Sequence, residues 1–344
     1  MGSGEEVAPA TLAELHERAS RPDPRTTEAL KGFPGPVLVL GAGGKMGFHL
    51  TRALQRAADG EYQRVLAVSR FGSPESEAPF LEAGIETARC DLEDESQLAE
   101  LPDAALVFYL AGIKFGTTGR PDLLRRFNVE MPRVAASRFR GSTLVTLSSG
   151  CVYPFAAVDG PGSRESDPPD PPGDYARSCL GREEAFCEGA RRWGTPCVLI
   201  RLNYSVDLRY GVLVDIGRKV WANEPVDVST GWVNAIWQGD AVNMIIRSAL
   251  WAARPPDILN VTGPSKISVR EAALEFGRLF GKPAIIVGRE RETAWLGDAS
   301  KMRERLGAPE VSNALLIRWV ASWLKQGGEI LDKPTRFEVR DGDF

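Results

Sequence analysis

Short apolar runs alternate with helix-like stretches through the middle of this chain. Val37 to Leu40 is four consecutive aliphatic residues followed by glycines, the pattern of a parallel strand buried on both faces. Comparable runs lie at 64–69, 85–90, 105–110, 142–147 and 197–201. Between them, residues 45–58, 122–138 and 175–192 carry apolar positions at helical spacing. Such alternation predicts a doubly wound parallel α/β sheet. After Asn203 the pattern loosens. Helical stretches at 212–222, 240–253, 269–280 and 312–325 are broken by strand-like pieces at 258–261 and 284–287, which predicts a small C-terminal α/β substrate lobe. Ahead of the first strand, Thr11 to Ala19 reads as an amphipathic helix and Arg21 to Pro36 as a Pro-rich arm. The expected organisation is an N-terminal helix and arm (1–36), a dinucleotide-binding domain (37–202), a substrate lobe interleaved with the core (203–330) and a tail (331–344).

Composition narrows the function classes. With 344 residues, 43% hydrophobic, the chain can bury a large core, and its formal net charge of -4 is spread without long like-charge runs. That argues against a nucleic-acid or membrane partner, and no apolar run approaches a membrane span. Met1 to Pro9 has no apolar core, so no signal peptide is read there. Cys90, Cys151, Cys179, Cys187 and Cys197 form no CxxC pair and no zinc spacing, which suits reduced thiols in a cytoplasmic protein. His16 and His49 are the only histidines, which disfavours a Ser-His-Asp site and a His-ligated metal.

Between the first strand and the next helix stands Gly41-Ala42-Gly43-Gly44-Lys45-Met46-Gly47. Glycines there let the backbone turn sharply and approach a pyrophosphate, while the helix N-terminus offers free N–H groups to it. This is the phosphate turn of a Rossmann fold. NAD-specific sites usually carry an acidic residue at the end of the second strand for the ribose hydroxyls. Ser69 and Arg70 stand there instead, with Lys45 in the turn, and a hydroxyl plus cations suit the 2′-phosphate of NADP. The expected cofactor is NADP, with NAD as the alternative.

Further motifs carry a family resemblance over nearly the whole chain, from about Val37 to Leu324. Gly41-x-x-Gly44-x-x-Gly47, Cys90-Asp91-Leu92, Tyr109-Leu110-Ala111-Gly112, Asn128-Val129 and Leu147-Ser148-Ser149-Gly150-Cys151-Val152-Tyr153 resemble, in order, the segments of an extended short-chain dehydrogenase/reductase of the NAD-dependent epimerase/dehydratase family. The resemblance implies that Asp91 and Leu92 border adenine and that Leu110, Ala111 and Gly112 border the cofactor. It implies that Asn128 supports the site and that Ser149 polarises the reacting oxygen.

The resemblance breaks where that family has Tyr-x-x-x-Lys. This chain reads Tyr175-Ala176-Arg177-Ser178-Cys179. In the family the Tyr moves the proton, and the Lys binds the nicotinamide ribose and lowers the Tyr pKa. Bringing a tyrosine from about 10 to about 7 takes roughly 4 kcal/mol, and a thiol supplies no cation for it. Lys114, just past the fourth strand, is the best substitute. Alternatively the chemistry needs less help from Tyr175, or catalysis is lost and a cofactor-binding sensor remains. A non-redox lyase or isomerase on the same fold is also open, and a nucleophilic role for Cys179 ranks below its being a small buried residue.

For the substrate, nucleotide-sugar members carry an arginine shortly before the position of Asp240, whereas Val233 to Gly239 holds no cation. The reading is therefore a carbohydrate-like small molecule without its nucleotide, contacted by Tyr153, Asn203, Arg209, Asn234 and Trp237. A homodimer is left open.

Overall fold

The computed structural model describes residues 7–58, 60, 63–333 and 335–340. Met1–Glu6 of the expected N-terminal segment and residues 334 and 341–344 of the expected tail lie outside the described residues. A seven-stranded parallel sheet forms the centre. Its strands are β1 (Val37–Leu40), β2 (Val65–Ser69), β3 (Glu86–Arg89), β4 (Leu106–Tyr109), β5 (Thr143–Ser149), β6 (Cys197–Leu202) and β7 (Asp257–Val261). They lie side by side in the order β3-β2-β1-β4-β5-β6-β7, all paired parallel. The chain reverses its lateral direction between β1 and β4, and a doubly wound sheet opens a ligand crevice at the C-terminal ends of its strands there.

Strand β1 shows how pattern becomes layers. Val37 and Val39 point into one core with Leu50, Leu54, Ile245 and Ile246, while Leu38 and Leu40 point into another with Met131, Phe139 and Phe186. Alternate side chains of a strand face opposite sides, so a run apolar at every position must be covered twice. Helices Gly47–Ala57 and Gln238–Ser248 cover the first face; Met131–Arg138 and Gly173–Trp193 cover the second. Edge strand β3 is partly exposed.

A third core joins helices Val212–Trp221, Val269–Phe280 and Asn313–Lys325 around Phe276, Trp319 and Trp323. Leu15 of the N-terminal helix packs into it. The helix is tied further by a buried chain in which His16 Nδ1 meets His49 Nε2 at 2.7 Å and His49 Nδ1 meets Gln238 Nε2 at 2.6 Å. Burial lowers the pKa of both imidazoles, that of His16 to about 4.

Three expectations change. The strand-like piece at 258–261 belongs to the central sheet as β7, beside β6, because strand pairing is set by distant partners and not by local pattern. The piece at 284–287 shrinks to Ile286–Val287, paired with Val226–Asp227. The helix expected over 122–138 contains a π-turn, Arg126–Glu130, between Pro121–Arg125 and Met131–Arg138. One extra residue per turn there rotates Asn128 inward, as π-turns at functional sites often do. Among the described residues, no helix is long and apolar enough to cross a membrane.

Candidate active site and cofactor cradle

The glycine turn after β1 is built by close approach. Gly41 takes φ +82°, and a Cβ on it would lie 2.6 Å from the Ala111 nitrogen. A Cβ on Gly47 would lie 1.9 Å from the Ala42 carbonyl oxygen, and one on Gly43 would lie 2.7 Å from Ser69 Oγ. Any side chain there would open the turn, so the helix Gly47–Ala57 can start tight against the strand end and present its free N–H groups.

Two cavities meet at this turn. The smaller, about 250 Å³, is lined by Gly41, Gly43, Gly44, Ser69, Arg70, Asp91, Leu92, Leu110, Ala111 and Gly112, with Phe127 and Met131. The larger, about 410 Å³, is lined by Gly44, Lys45, Met46, Gly47, Leu110, Gly112, Lys114, Ser149 and Tyr175, among others. Gly44, Leu110 and Gly112 border both. Two lobes of space joined over a phosphate-binding turn fit the two halves of a nicotinamide dinucleotide, adenosine over β2 and nicotinamide toward Tyr175.

Lys45 is a correction. It was read with Arg70 as a partner of a 2′-phosphate. Its ammonium instead faces the larger cavity, 3.3 Å from the Tyr210 ring centroid and 4.5 Å from that of Phe115. Burial, then the charge of Lys114, brings it down to about 7. Arg70 and Ser69 do line the smaller cavity, and Arg70 is exposed there, 5.7 Å from the Phe127 ring centroid.

Tyr175, in the first turn of Gly173–Trp193, and Ser149, at the end of β5, share one cavity wall. Burial pushes the Tyr175 hydroxyl well above its ordinary range. The thiols of Cys179 and Cys151 add to this, and Arg182 opposes it. Lys114 stands beside the ring, its ammonium 5.5 Å from the centroid, and burial lowers its pKa. Cys179 is fully buried behind the wall, packed with Cys151, Val152, Ala176 and Trp295. The hydrogen bond from Cys151 lowers the Cys179 thiol. Cys151 lines the cavity and Cys179 does not.

Asn128, expected to support the site, does so from behind the cavity wall. Its Oδ1 accepts from Ile113 N (2.9 Å) and Arg182 Nη2 (2.7 Å), and its Nδ2 donates to Ile113 O and Ser178 Oγ, both at 2.9 Å. Every polar atom of the side chain is spent bracing the loop after β4 against the Tyr175 helix.

Of the residues expected to touch substrate, only Asn203 borders the larger cavity. Tyr153 turns its hydroxyl to Asn260 Oδ1 at 2.9 Å. Asn234 is buried, donating to Gly263 O and accepting from Gly297 N. Trp237 is core, edge-on to Trp319. Arg209 is paired with Asp207 at 3.1 Å. In each case an internal partner claims the polar group or ring. In their place stand Phe115, Arg182, Tyr204, Ser205, Tyr210, Gln238, Trp295 and Thr335. Arg182 had a signal, since it falls seven residues after Tyr175 on the same helical face. Trp295 and Thr335 arrive from remote segments and had none.

Over residues 37–204 this chain matches the model of the NAD dependent epimerase/dehydratase family. It is an enzyme of the epimerase/dehydratase type. A search of curated proteins by sequence finds no match. Among solved structures, the chain is similar to a UDP-galactose 4-epimerase (22% identity, TM-score 0.67, 85% of this chain and 99% of that one). It is also similar to the UDP-glucuronic acid 4-epimerase from Bacillus cereus in complex with NAD (18% identity, TM-score 0.70, 85% and 99%). A third is an epimerase from Methanothermobacter thermautotrophicus (19% identity, TM-score 0.72, 88% and 96%). At these identities the likeness is one of fold.

Proposed function

We propose that this chain carries out nicotinamide-dependent redox chemistry on a hydroxyl or ketone of a carbohydrate-like small molecule, with NADP preferred over NAD. The observation that carries the reading is the single cavity bordered at once by the glycine turn, Ser149 and Tyr175. The bound nicotinamide would accept or return the hydride. Tyr175 takes the hydroxyl proton or gives it back, and Ser149 donates a hydrogen bond to the same oxygen. Lys114 supplies positive charge beside the phenol. Trp295, Tyr204 and Phe115 form an aromatic wall suited to a sugar ring, and Asn203, Ser205 and Gln238 add hydrogen-bonding groups.

The substrate is proposed to lack a nucleotide. The missing cation between Val233 and Gly239 no longer argues for this, because Asn234 and Trp237 of that stretch are buried. What supports it is the modest space at the reacting end, about 410 Å³ beside the glycine turn in a cavity that opens to solvent. Incubating the protein and either cofactor with a panel of free sugars, sugar acids, polyols and UDP sugars, followed by the nicotinamide absorbance and by product chromatography, tests both parts. Turnover of a free carbohydrate is expected; turnover of UDP sugars alone would overturn the smaller-substrate reading.

The NADP preference rests on Ser69 and Arg70 in the adenosine-side cavity. A charge-assisted hydrogen bond to the 2′-phosphate contributes about 1.5–3 kcal/mol. Arg70→Ala is therefore expected to weaken NADP at least tenfold while leaving NAD nearly unchanged, measured by calorimetric titration. Equal losses for both would mean that Arg70 points elsewhere.

A further inference from the structure

We propose that Arg182 is a cofactor-binding cation, placed one turn beyond the cation-free position 179, and that residue 112 is glycine to make room for it. The inference rests on the nicotinamide reading above. Tyr175, Cys179 and Arg182 fall at i, i+4 and i+7 of the helix Gly173–Trp193, and so lie along one face. Arg182 is only 6% exposed, yet it lines the larger cavity. Its Nη1 donates to Leu147 O at 3.0 Å and its Nη2 to Asn128 Oδ1 at 2.7 Å, which fixes the guanidinium plane. Its Nε is buried with no hydrogen-bond partner. A guanidinium has five N–H groups and the bonds to Leu147 and Asn128 use two of them, so Arg182, which lines the cavity, keeps donors for a ligand's acceptor, and a buried charged donor is costly to leave unpaired.

Gly112 locates that acceptor. A Cβ there would lie 2.1 Å from Arg182 Nη2 and 2.9 Å from Cζ. Its φ is outside the left-handed region, so space and not backbone freedom requires the glycine. Gly112 borders both cavities, which puts the guanidinium at their seam. With adenosine over β2 and nicotinamide toward Tyr175, the oxygen acceptor on the larger-cavity side of the seam is a hydroxyl of the nicotinamide ribose. An arginine suits the task because its planar guanidinium presents several donors in a fixed fork, so it can brace the protein and still reach a ligand. The same charge opposes the burial that raises Tyr175.

The test is calorimetric titration of NAD and NADP into the full chain and its variants, with thermal unfolding to confirm that each is folded. Arg182→Met is expected to weaken both cofactors at least tenfold and in equal proportion, because the ribose is common to them, and Arg182→Lys is expected to recover part of the loss. Gly112→Ala is expected to weaken binding in the parent chain and to cost less in the Arg182→Met background, where the guanidinium is gone and only Asn128 Oδ1, 2.8 Å from the added Cβ, still crowds it. If Arg182→Met does not fold, Arg182→Lys and Gly112→Ala still decide. Affinity unchanged within twofold in a folded Arg182 variant, or an equal Gly112→Ala penalty in both backgrounds, would make Arg182 a structural brace and overturn the proposal. A parent chain that binds neither cofactor overturns instead the nicotinamide reading beneath it.

Discussion

Replacing Tyr175 by Phe is expected to cut turnover by about 10²–10⁴ while cofactor affinity stays within a few-fold of the parent. Removing a positioned proton-transfer group typically costs that much, and the phenyl ring preserves the wall of the cavity. The pH profile should carry the signature. Burial holds the Tyr175 hydroxyl well above its ordinary range, so in the direction that removes a proton from substrate the rate should rise with pH as the phenolate forms. Lys114→Met takes away a neighbouring positive charge and should move that limb to still higher pH. A Tyr175→Phe variant with parental turnover would assign the proton to another group.

The second large effect concerns stability. Arg201 at the end of β6 meets Glu183 of the Tyr175 helix through Nε (3.0 Å) and Nη2 (2.8 Å), both side chains almost fully buried. Ser148 Oγ donates to the same carboxylate at 2.5 Å. Glu183→Ala leaves a buried guanidinium without its counter-charge and should cost about 3–5 kcal/mol in chemical unfolding. A double variant with apolar residues of similar volume at 183 and 201 should recover much of that, because burying the pair itself carries a desolvation cost. A loss under about 1 kcal/mol in the single variant would show that the pair is solvated.

The sheet was readable because a fully buried strand must be apolar at each position, as 37–40 and 106–109 are. Which strands pair was less so: Ile258 to Val261 has the same local look whether it joins a lobe or the central sheet. The π-turn at Arg126–Glu130 was invisible, since a single extra residue barely disturbs helical spacing. In the site, the glycine turn, Ser149 and Tyr175 were legible from motifs whose chemistry fixes residue type and spacing. Trp237 was read as a sugar platform and lies in the core, because an indole suits either place and only packing decides. In sequence Arg182 is one charge among several on a long helix; its meaning needs Gly112, seventy residues away in sequence and against it in space.

The central claim is that the glycine turn and the two joined cavities hold a nicotinamide dinucleotide. Calorimetric titration of the purified parent chain with oxidised and reduced NADP and NAD tests it most directly. The expected result is one dinucleotide bound per chain, NADP the tighter, with binding abolished in Gly44→Val, whose side chain would project where both cavities meet. No binding of any of the four forms by a folded parent chain, or binding untouched by Gly44→Val, would contradict it.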